Sequence, residues 1–304
     1  MSWQQAQTPQ CIESECTPVE TVIVPRVHNI GDFDVRRALP AKERQMIGPF
    51  IFFDQMGPVR FQGEQAIDVR PHPHIGLSTL TWLFEGEVRH QDSLGYDMVI
   101  RPGEVNWMTA GSGIVHSERS PASARGVGAP LAGIQTWMAL PLDKEEIDPA
   151  FYHYTAAELP RLDDDGVQLV LIAGNAFGEQ SGVRTESPTF YAELRLAAQY
   201  RFVFPQDIEE RGVYVYAGSV EIGGSRFEAG TLVVLKPNAE IVIRALADSL
   251  CMLLGGDALE GHRHMYWNFV SSSRERIEQA KQDWVQGRFA AVAGDPEFIP
   301  LPGT

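Results

Sequence analysis

Cysteine is scarce in this chain, with three in 304 residues. An odd, low count describes no disulfide framework, so stability has to come from packing. Cys11 and Cys16 stand in a polar leader and read as free thiols. Cys251 lies in the apolar run Ser249–Leu254 and reads as core. No apolar stretch approaches the roughly 20 residues of a membrane-spanning helix. The segment Met1 to Glu20 is polar and lacks the apolar centre of a signal peptide, so a cytoplasmic protein without membrane contact is expected. Runs of Lys and Arg are missing too. Twenty-five basic side chains face 40 acidic ones, a formal net charge of −15, and such a chain repels phosphate backbones. Direct nucleic-acid binding is therefore not expected. Finally, strands do not alternate with long amphipathic helices, which argues against a doubly wound parallel sheet or an α/β barrel.

Short strand-like runs broken by 28 Gly and 20 Pro fill the chain. Thr21–Val24, Leu77–Phe84, Val105–Met108, Leu131–Ala139, Val167–Ala173, Val213–Tyr216 and Thr231–Leu235 are examples, and their spacing predicts an all-β sandwich or barrel. A faint repeat runs through them. Trp82-Leu83-Phe84-Glu85-Gly86 leads to Pro102-Gly103-Glu104-Val105, and Tyr214-Val215-Tyr216-Ala217-Gly218 leads to Ala229-Gly230-Thr231-Leu232. Two copies predict two similar β-barrels. The acidic segment from Pro141 to Asp165 supplies the boundary, giving a leader over 1–20, a first domain over 21–145 and a second over 146–304. One helix is expected near the C-terminus. Ser272 and Glu275 have capping-box spacing, and Ile277, Ala280 and Trp284 form one apolar stripe behind them.

Eight histidines are present, and three fall in two short motifs, His72-Pro73-His74 and His116-Ser117-Glu118. Side chains at i and i+2 of a strand share a face. Two such strands facing each other would bring three imidazoles and one carboxylate to a point. That donor set suits one divalent transition metal, Fe(II), Mn(II), Ni(II), Co(II), Cu(II) or Zn(II). A closed, Cys-rich tetrahedron would mark a purely structural metal, and it is not what these ligands form. His90 reads equally as a partner to a ligand histidine or as a loop residue. His262 and His264 form another alternating pair without a second pair nearby and are read as loop. Phe53, Trp107, Met108 and Trp137 are read as core or pocket wall.

These motifs have a familial likeness. Pro71-His72-Pro73-His74-Ile75-Gly76, His90-Gln91-Asp92-Ser93-Leu94-Gly95 and the run from Pro102 to Glu118 resemble the pirin family of the cupin superfamily. Arg37, Leu39-Pro40, Gly48-Pro49-Phe50, Phe53-Asp54, Gly57-Pro58 and the late Tyr266-Trp267-Asn268-Phe269-Val270-Ser271 agree with it. The resemblance implies a bicupin whose first barrel alone holds metal, with His72, His74, His116 and Glu118 as ligands. It also implies a metal-dependent dioxygenase of the quercetinase type, with a flavonol-like aromatic substrate and dioxygen as partners. Glu118 would then also be the base that takes the flavonol hydroxyl proton. The alternative it implies is a non-enzymatic, iron-binding redox sensor that acts through protein partners.

Overall fold

The computed structural model describes residues 17–29 and 33–303. Cys11 and Cys16 lie outside these residues. The chain builds two β-barrels of the same plan, each a seven-stranded antiparallel sheet with a four-stranded one. In the first barrel the small sheet runs in the order Asp68–His74, Ile114–Arg119, Val88–Asp92, Asp97–Ile100. In the second, the equivalent order is Arg201–Phe204, Ile241–Ala245, Ser219–Ile222, Ser225–Glu228. The two-barrel, all-β reading of the sequence holds.

Strands buried on both faces explain the unbroken apolar runs. Along Thr189–Leu196, Phe190, Ala192 and Leu194 pack inside the second barrel, while Tyr191 packs into a cluster shared with the first. Ser249–Gly256 behaves alike, with Cys251 and Leu253 pointing into the barrel and Met252 and Leu254 out of it. The large sheets of the two barrels therefore face one another. Trp82, Phe53 and Ile134 of the first interdigitate with Tyr214, Ile172 and Met252 of the second. Two polar contacts cross this seam, while the buried Tyr191 hydroxyl has no hydrogen-bond partner among the described residues. Trp82 Nε1 donates to Glu193 Oε2 at 2.8 Å, and the Tyr214 hydroxyl donates to Gln55.

Segments from both ends of the chain cross between the two barrels. Val19–Ile23, rather than the expected Thr21–Val24, pairs with Thr231–Leu235 at the edge of the second barrel's large sheet. Ala150–Tyr154 pairs with Val105–Thr109 of the first barrel. The C-terminal segment returns to the first barrel as well. Phe269 bridges Ile75, and the helix Arg274–Val285 buries Ile277 and Ala280 against both. Beyond the helix, Ile299 N donates to Pro71 O at 2.9 Å, and Asp295 takes both Nε and Nη2 of Arg119 at 3.0 Å. The helix cap differs from expectation by one residue. Ser273 accepts from Arg276 N at 3.2 Å, because Ser272 is already held by Glu145 through both its backbone N–H and its hydroxyl.

Candidate metal centre

Asp68–His74 and Ile114–Arg119 run antiparallel, with His74 opposite Ile114 and His72 opposite His116. Alternation turns His72 and His74 to the same face, and the register sets His116 beside them. Farther along, Glu118 pairs with Val69, so the His72 strand carries one extra residue between these rungs. Pro71 lies in that stretch and has no N–H for the ladder, which favours such an irregularity.

The three imidazoles meet. Their ligand nitrogens all lie within 4.8 Å of one another, and His74 Nε2 stands 3.0 Å from His116 Nε2. All three rings are buried. Burial disfavours the imidazolium form, holding His72 down at about 4 and His74 and His116 well below the ordinary histidine value. The nearby histidines push in the same direction. His72 Nδ1 lies 2.9 Å from the Arg70 carbonyl, so a neutral ring carries its proton there and its lone pair on Nε2. His74 Nδ1 is buried and has no hydrogen-bond partner among the described residues. Neutral imidazoles gathered at one buried point form a donor set for a borderline transition metal, so the residues fit the cation the sequence implies.

Glu118 stands outside this tight group. Its Oε1 accepts from Gln135 Nε2 at 2.7 Å. Burial raises its pKa, and the Gln135 hydrogen bond offsets part of that rise. His72, Glu118 and Gln135 all line one cavity of about 1120 Å³, together with Phe52, Trp137 and Trp267. Trp137 stacks on Phe52 at 3.8 Å and meets the edge of His74 at 5.1 Å. Its buried indole N–H has no hydrogen-bond partner among the described residues.

Spacing alone left one contact open, at His90, and missed two others. His90 is buried, stacked on Phe151 at 4.4 Å, and its Nδ1 lies 3.2 Å from His116 Nδ1. Asp92 Oδ2 sits 2.9 Å from the far nitrogen, His90 Nε2. Gln135 is the third. The His90-Gln91-Asp92 spacing held a signal, since i and i+2 share a face. His262 and His264 touch each other at 4.6 Å but join no metal-capable cluster among the described residues. Between them, Arg263 is fully buried against Glu145. Phe53, Trp107 and Met108 are core.

Comparison with known proteins decides the family. Residues 32–138 match the family model described as Pirin, and residues 191–290 match the Pirin C-terminal cupin domain. The chain belongs to the pirin family. A pirin-like protein of Caulobacter vibrioides is 49% identical over 93% of this chain and 99% of its own. Pirin of Homo sapiens is 30% identical over 82% of this chain and 86% of its own. A crystal structure titled as quercetin 2,3-dioxygenase from Acinetobacter baumannii superposes with a TM-score of 0.86 at 33% identity, covering 93% of this chain and 95% of the other.

Within this pirin-family fold, the second barrel shows what the site looks like without its histidines. Gly103 to Glu118 aligns without a gap on Gly230 to Ala245, placing Ile243 at His116 and Ala245 at Glu118. The pairing Phe202 to Ile243 and Phe204 to Ile241 repeats that of His72 to His116 and His74 to Ile114. Every donor position of the first barrel is apolar and buried in the second.

Proposed function

We propose that this protein is a metal-dependent dioxygenase of the quercetinase type, acting on flavonol-like substrates at the first barrel. The cluster of three buried, neutral histidines, of which His72 lines a large, aromatic-walled cavity, carries this reading. The similarity to the Acinetobacter baumannii protein titled quercetin 2,3-dioxygenase supports it. His72, His74 and His116 would hold one divalent metal, Fe(II) first among the candidates, with Glu118 as the fourth donor. Bound there, the metal would act as a Lewis acid favouring the deprotonated flavonol and would serve the reaction with dioxygen.

The protein's own side chains supply the rest. Phe52, Trp137 and Trp267 offer flat apolar surface to an aromatic ligand, and the unpartnered Trp137 N–H is a donor for one of its oxygens. Glu118 takes the hydroxyl proton. With Oε1 occupied by Gln135, Oε2 is the oxygen that receives it. Burial makes this carboxylate a stronger base than an exposed one, by raising its affinity for the proton. A carboxylate engaged on a cation is a poor base, so the two Glu118 roles alternate during turnover.

Oxygen uptake with quercetin tests the proposal, using protein purified without an affinity tag and loaded with Fe(II). The proposal expects flavonol-dependent consumption that disappears in His116→Ala. No uptake with any flavonol would remove the enzyme reading and leave the metal-sensing regulator in its place.

A further inference from the structure

We infer that Asp92, acting through His90, fixes which nitrogen of His116 carries the proton, and thereby aims a lone pair at the histidine cluster. The inference rests on reading that cluster as a metal site. Asp92 Oδ1 accepts backbone N–H groups from Leu94 at 2.9 Å and Tyr96 at 3.1 Å, which orients the carboxylate. Its other oxygen, Oδ2, faces His90 Nε2 at 2.9 Å. A carboxylate only accepts, so the His90 proton sits on Nε2. A His90 ring that carries one proton, on Nε2, has a bare Nδ1. That atom lies 3.2 Å from His116 Nδ1, which must therefore be the donor. His116 is left with its lone pair on Nε2, the nitrogen 3.0 Å from His74 Nε2.

The strands hold this chain in register. Val88–Asp92 pairs with Ile114–Arg119, and Asp92 lies opposite His116 while His90 lies opposite Glu118. Phe151 stacks on His90 and holds its ring plane. Each orientation is thus imposed by a neighbour, and the sequence of donors runs one way, from His116 to His90 to Asp92. Asp92 and His90 are positioning residues. Neither is among the three histidines whose nitrogens converge.

Asp92→Asn reverses the chain. The substituted amide must keep its one carbonyl oxygen on the Leu94 and Tyr96 N–H groups, so its own N–H faces His90 Nε2. His90 then moves its proton to Nδ1 and donates to His116, whose own proton shifts to Nε2 and blocks the lone pair. His90→Gln preserves the order, because the Gln carbonyl accepts from His116 and its amide donates to Asp92.

Nitrogen-15 NMR of metal-free protein at mildly alkaline pH reads the tautomers, and chelator competition with Ni(II) reads affinity. Wild type should show His116 protonated at Nδ1. Asp92→Asn should show it protonated at Nε2 and bind Ni(II) about 10–100-fold more weakly, the range for losing such a partner. His90→Gln should keep near-wild-type affinity. Wild-type His116 protonated at Nε2 overturns the inference, as does Asp92→Asn with unchanged tautomer and affinity. The tautomer measurement uses no metal. A wild type with the expected tautomer that binds no Ni(II) would sink the metal reading and leave the Asp92 chain standing.

Discussion

Three imidazoles packed together without charge are costly to bury, since each polar nitrogen left unpaired loses about 1–3 kcal/mol of solvation. The second barrel avoids that cost by placing Phe202, Phe204 and Ile243 at the equivalent positions. The contrast between the two barrels supports the proposal that the histidines of the first hold a metal. These residues were legible in the sequence because a period of two survives in any strand. Glu118, which the same period sets beside them, stands outside their tight group, and its hydrogen bond to Gln135, a residue from another strand, was not legible. Its two proposed roles separate in Glu118→Gln, which keeps the shape and loses the charge. With metal saturating, the variant should still bind a flavonol but turn it over at least about 100-fold more slowly, the lower range for a general base. Turnover equal to wild type would remove Glu118 as the base.

Strand pairing sets the site, and the C-terminal segment closes over it. Gly76 follows the His72 strand at φ +67°, and a Cβ there would come within 2.0 Å of the Val270 carbonyl oxygen. Gly76→Ala should lower stability by at least about 2 kcal/mol, adding a backbone clash to left-handed strain of about 1–2 kcal/mol. An unchanged denaturation midpoint would show that the Val270 segment gives way freely. Sequence periodicity placed the helix stripe correctly, with Ile277 and Ala280 buried. Capping-box spacing chose Ser272 where Ser273 is the cap, because the choice depends on Glu145, more than 120 residues earlier. An apolar run reports that it is buried and is silent about its partner. For that reason the crossing of both chain ends between barrels appears only in three dimensions.

Across the whole molecule, one buried ion pair ties that crossing together. Arg263, fully buried, meets Glu145 at 2.9 Å, and Glu145 also accepts from Ser271 and Ser272. Exposed pairs such as Arg60 with Glu85 contribute little. Glu145→Ala would strand a buried guanidinium and should cost about 3–5 kcal/mol in denaturant unfolding. A loss below about 1 kcal/mol would mean that water or a shifted carbonyl replaces the carboxylate. The central claim concerns the first barrel alone, and metal stoichiometry on untagged protein tests it most directly. One divalent transition metal per chain is predicted for wild type and for His264→Ala, and none for His72→Ala or His116→Ala with the fold retained. Two tightly held metals per wild-type chain, or metal retained in folded His116→Ala, would contradict it.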